Sequence, residues 1–126
     1  MEELDLFIAN KKNNFVKSMS FIDYVYYLMN QKNLTSSDVY NRGDIDRRVW
    51  SGIISNKMKP SLKMAVKIAI GLKCNNDECK LLLKKLSYTL SRSSDFALVI
   101  RFCIKNEIYN LVKINELLYE KGLEML

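Results

Sequence analysis

The chain has 126 residues, 48% of them apolar, a net charge of +6, and only four glycines and one proline. That suits one compact domain with a real core and few loops, and it excludes a largely disordered chain. No segment approaches the roughly 18 uninterrupted apolar residues of a membrane span, and the opening "MEELDLFIANKK" is acidic before it is apolar, the wrong order for an export signal. A cytoplasmic protein with no membrane partner is expected.

In chain order the helical period recurs and no stretch alternates, so an all-α chain of six or seven helices is predicted. Residues 3–9 add a turn or two of helix within an N-terminal arm, 1–17. Phe21, Tyr24, Val25, Leu28 and Met29 repeat at i, i+3, i+4 and predict a helix over about 18–32. Thr35 is placed to cap a short helix to Arg42, and Asp46 another over 46–55 with Val49, Trp50 and Ile53 facing inward. Ser61 caps "LKMAVKIAIGLK", and "NND" at 75–77 opens a helix to Leu86. Ser94 opens "DFALVIRFCIK", and Asn110 opens a last helix that closes at Gly122. Residues 74–126 therefore form a helical layer expected to pack on 18–73 as one unit.

Catalytic chemistry has little support. There is no histidine, which removes the usual general base and nucleophile activator. The three cysteines include no CxxC pair, so no metal site is expected and they read as small core residues. Asp44, Asp46, Asp77 and Glu78 sit where helix starts place acids. Neither an enzyme nor a cofactor is expected. The charge is localised: residues 1–34 are neutral, 35–73 carry +5 and 74–126 carry +1. A concentrated basic excess is the electrostatic footprint of an anionic partner, most often nucleic acid.

Two short helices joined by a tight turn, over 35–42 and 46–55, have the dimensions of a helix-turn-helix. With residue 44 at the turn, the buried positions fall on Val39, Gly43, Ile45, Trp50 and Ile53. A shift of one residue would bury Asp38, Arg42 and Asp44 at a cost of several kcal/mol, so the first register is expected. Together with "KPSLKMAVKIAIGLKC", the stretch 18–73 resembles the XRE or Cro-repressor class of helix-turn-helix domains. "DVYNRGDIDRRVWS…KPS…AIGL" with "DECKLLLKKLSYTLSRSSDFALVIRFCI" is similar to an extended variant, also found fused behind macro domains in bacterial proteins. The resemblance implies a five-helix repressor-type domain extended by two further C-terminal helices. It implies that Arg47 and Arg48, then Ser51 and Gly52, face the major groove, with Ser36, Lys57 and Lys59 on phosphates.

The chain departs from that class in three places. Tyr40 stands where the class has alanine, with Gly43 as the residue that makes room for it. Asp44 replaces the turn glycine, and Gly52 offers no side chain to a base. Two readings follow. One is a small duplex-DNA-binding protein, a transcriptional regulator, with a homodimer as one arrangement for reading two half-sites. The other is a protein-interaction module on the same scaffold, such as an adaptor or a phage-type inhibitor of a nucleic-acid-handling defence system. In either, Arg47 and Arg48 have an internal alternative, pairing with Asp44, Asp46 or the C-terminal layer. The tyrosines of "DYVYYL" cannot all face one core, which leaves those off it either at the core edge or on a partner surface, where tyrosine is favoured.

Overall fold

A computed structural model describes residues 2–126, and among them all regular structure is helical. The helices are α1 (Glu2–Ser18), α2 (Phe21–Lys32), α3 (Ser36–Arg42), α4 (Arg47–Ile54), α5 (Leu62–Gly71), α6 (Asn76–Lys84), α7 (Asp95–Lys105) and α8 (Leu111–Glu120). Eight is one more than the periodicity predicts. The excess is α1, which runs for 17 residues, not a turn or two, and extends through Ser18, where α2 was expected to begin. A search for a buried stripe underestimates it because none of its residues is buried. Its acids Glu2, Glu3 and Asp5 in the first turn and Lys17 in the last suit the helix dipole.

Seven helices start alike. Ser20, Thr35, Asp46, Ser61, Asn75, Ser94 and Asn110 each accept a backbone N–H of the first turn on the side chain. The same seven end alike, each on a left-handed residue: Asn33, Asp44, Asn56, Lys73, Ser87, Glu107 and Gly122. The next N–H returns to a carbonyl of the last turn at 2.8–3.0 Å, as in Ile45 to Tyr40, Cys74 to Ala69 and Ile108 to Cys103. Six of these seven stops use no glycine. The residue after the stop is usually apolar (Leu34, Ile45, Cys74, Tyr88, Ile108, Leu123), and its packing offsets the left-handed strain.

The core is continuous from Phe21 to Leu118 and centres on α5, which buries Ala65, Val66, Ile68, Ala69, Ile70 and Gly71. α3 crosses α5 at backbone distance. A Cβ on Gly43 would lie 2.6 Å from the Lys67 carbonyl oxygen, and one on Gly71 would run into the Val39 carbonyl. Gly43 thus makes room for α5 and not for Tyr40, whose half-buried ring sits 6.5 Å from the Trp50 ring. α2 contributes Phe21, Tyr24, Val25, Leu28 and Met29 to this core. α7 and α8 bury Ile100, Cys103, Leu111, Ile114 and Leu118 within the chain, while Leu98, Phe102 and Val112 stay exposed.

Side chains tie the layers together at helix ends. The Lys32 ammonium donates to the Lys73 carbonyl and pairs with Glu78, both at 2.9 Å. The Arg42 guanidinium donates to the Gly71 carbonyl at 2.6 Å, and the Tyr109 hydroxyl donates to the Cys74 carbonyl at 2.7 Å. Cys74, Cys79 and Cys103 are free and buried. Burial pushes all three thiols up, Cys79 to about 11 despite the opposing charge of Arg101.

Candidate nucleic-acid interface

α3 and α4 are joined by Gly43, Asp44, Ile45 and Asp46. Asp44 takes the left-handed conformation at φ 51°, closed by the Ile45 N–H to the Tyr40 carbonyl at 2.8 Å. Val39, Gly43, Ile45, Trp50 and Ile53 are all buried, while Asp38 and Asp44 are exposed and Arg42 is half-buried. That is the register expected from the cost of burying charge. Asp46 is exposed and caps α4. Its Oδ1 accepts the backbone N–H of Arg48 at 2.8 Å and of Val49 at 3.4 Å.

Arg47 and Arg48 are the first two residues of α4, and both are exposed. Among the described residues neither has a carboxylate within ion-pair reach, so the internal network with Asp44 or Asp46 does not form. The placement is electrostatically unfavourable. A helix start carries about half a positive charge, and a cation there costs a few tenths of a kcal/mol or more. The Asp46 carboxylate at the N-cap offsets part of that cost, and no further acid stands in the first turn of α4.

Ser36 (half-buried), Arg47 and Ser51 line one open groove of about 670 Å³ between α2, α3 and α4. Its wall also holds Tyr26, Tyr40 and Trp50. Within "DYVYYL", Tyr24 is buried and stacks on Tyr27, with ring centroids 6.1 Å apart, while Tyr26 is 48% exposed and turns to this groove. Its membership was not readable from the sequence, which places Tyr26 off the core but not beside α3. Gly52 is half-exposed on α4, and a Cβ there would meet only Met58, at 3.7 Å. Packing therefore does not require glycine at this position.

Lys57 and Lys59 are not in that groove. They follow the C-terminal end of α4, where both are exposed and line a smaller recess of about 260 Å³ with Asn56 and Pro60. The Lys59 ammonium lies 5.1 Å from the centre of the Tyr88 ring, whose hydroxyl donates to the Pro60 carbonyl at 2.9 Å. Arg48 lines neither recess. The sequence-predicted residues thus divide into a groove set, a lone exposed arginine and a distal lysine pair. A further groove of about 640 Å³, not anticipated from sequence, gathers Lys80, Lys84, Arg92 and Arg101 around Asp77. Among the described residues no cluster of potential ligands could hold a metal ion, and no helix is long and apolar enough to cross a membrane. Comparison with protein-family models, with curated proteins and with solved structures gives no match for this chain.

Proposed function

We propose that this chain is a small helix-turn-helix protein that binds duplex DNA as a transcriptional regulator, with α4 as its recognition helix. The observation that carries the reading is the pair Arg47 and Arg48, adjacent and exposed at the start of α4 and, among the described residues, without a carboxylate in ion-pair reach. Adjacent exposed cations that no ion pair of their own chain engages are available to an anionic partner. Duplex phosphate supplies the missing countercharge, and the guanidinium fork suits guanine O6 and N7. Ser36 at the start of α3 and Lys57 and Lys59 beyond α4 then serve as phosphate contacts on either side.

A second reading is favoured by one observation. Tyr26, Tyr40 and Trp50 beside Arg47 give the groove the aromatic and arginine composition of a protein-binding hot spot. Titration of a labelled random duplex at low and moderate salt separates the two. Binding that weakens steeply with salt, and weakens further in Arg47→Ala, supports the DNA reading. Salt-independent binding, or none at low salt, overturns it in favour of an adaptor or inhibitor of a nucleic-acid-handling system.

A further inference from the structure

Helix α1 leaves large apolar side chains uncovered along most of its length. Leu4, Phe7, Ile8 and Phe15 are 51%, 59%, 43% and 63% exposed. At 100° per residue Leu4, Ile8, Lys11 and Phe15 form one seam with Phe7 at its edge, the spacing 4, 3, 4 of a coiled-coil stripe. An isolated helix of this length is marginal in water. Its base is nonetheless fixed, because the Lys85 ammonium donates to the carbonyls of Val16 at 2.7 Å and Met19 at 2.6 Å. The helix is held in place at one end and offers its seam to something outside the chain.

The charges along α1 favour one occupant. Every acid lies in the first half (Glu2, Glu3, Asp5) and every base in the second (Lys11, Lys12, Lys17). Asp5 and Lys12 share one flank of the seam, two turns apart. We propose that α1 pairs antiparallel with α1 of a second copy of this chain, making a two-fold symmetric dimer. Leu4 then packs on the partner's Phe15 and Phe15 on the partner's Leu4, with Asp5 beside the partner's Lys12 and the reciprocal pair across the axis. A parallel pairing would instead set three acids against three acids and align the two helix dipoles. The isologous contact is closed, so it stops at two copies. This dimer is independent of whether the α4 face binds a duplex.

Sedimentation and light scattering of the full chain test the proposal. The expected mass is twice the 14.7 kDa of one chain. Phe15→Ser changes an exposed side chain and should yield a folded monomer, its helicity and melt checked by circular dichroism. Asp5→Lys and Lys12→Glu should each weaken the dimer roughly tenfold, since each turns two attractions into repulsions. The double variant Asp5→Lys with Lys12→Glu should restore it. A chain that stays monomeric at every accessible concentration overturns the proposal, whether or not it binds phosphatidylglycerol vesicles. A dimer indifferent to Phe15→Ser, or one that the double variant fails to restore, overturns it as well.

Discussion

The same residue types do opposite things in two regions of this molecule. In the body, Lys32, Arg42, Lys85 and Arg101 donate to the carbonyls of Lys73, Gly71, Val16 and Leu90 at 2.6–2.9 Å. Most of those carbonyls lie at helix ends, where a cation completes the hydrogen bonding and favours the dipole. At the start of α4 the sign is reversed, and Arg47 and Arg48 face water with nothing of their own chain to bind. Placement relative to a helix terminus, more than the number of cations, separates a structural cation from one available to a partner. Lys59 is intermediate, exposed yet lying over Tyr88.

The largest expected effect lies on the covered side. The Cys79 thiol ionises at about 11 in the folded chain against an ordinary value of 9.0, so above pH 9 the unfolded state loses its proton first. Cys79 alone should remove about 2–3 kcal/mol of stability between pH 9 and pH 11, the raised Cys74 and Cys103 thiols should add to the fall, and Cys79→Ala should make the decline shallower by its own share. Denaturant melts across that range check it. Arg42→Ala should cost about 2 kcal/mol, because the Gly71 carbonyl loses a charge-assisted donor in a part-buried site. A thermally silent Arg42→Ala would erase the distinction between the two sets of cations.

On the exposed side, Arg47→Ala should leave stability within about 0.5 kcal/mol, or raise it, while weakening a preferred duplex by about 1.5 kcal/mol. Gly52→Ala sharpens the contrast further. Ordinary contact with Met58 leaves room for the methyl, so helix stability should rise by about 0.5–1 kcal/mol. Loss of duplex affinity in that variant would mean the missing side chain is clearance for the partner. The smallest effect is expected from Lys57→Ala with Lys59→Ala, which should flatten the salt dependence by about two phosphate contacts without changing sequence preference.

Much of the fold was legible because its signals are local. Thr35, Asp46, Ser61, Ser94 and Asn110 could be assigned as helix starts, since a short polar side chain before an apolar period satisfies orphan N–H groups. The helix stops were harder. Lys73, Ser87 and Glu107 carry no intrinsic preference for the left-handed region and adopt it only because the next residue packs inward. The candidate site was half legible. Exposure of Arg47 and Arg48 follows from burying Trp50 and Ile53 on the same helix, whereas the arrival of Tyr26 beside Ser36 and Arg47 depends on how α2 crosses α3.

By itself the sequence determined that the chain is helical, where most helices begin, which register of α3 and α4 avoids buried charge, and that the basic excess sits between residues 35 and 73. These are consequences of periodicity, capping and desolvation, which act over a few residues. Only the tertiary structure decided that Gly43 and Gly71 exist for the α3–α5 crossing, that Lys57 and Lys59 lie apart from the Arg47 groove, and that α1 finds no cover within its own chain. Those depend on where distant segments come to rest, and no local pattern encodes which surface a helix will meet.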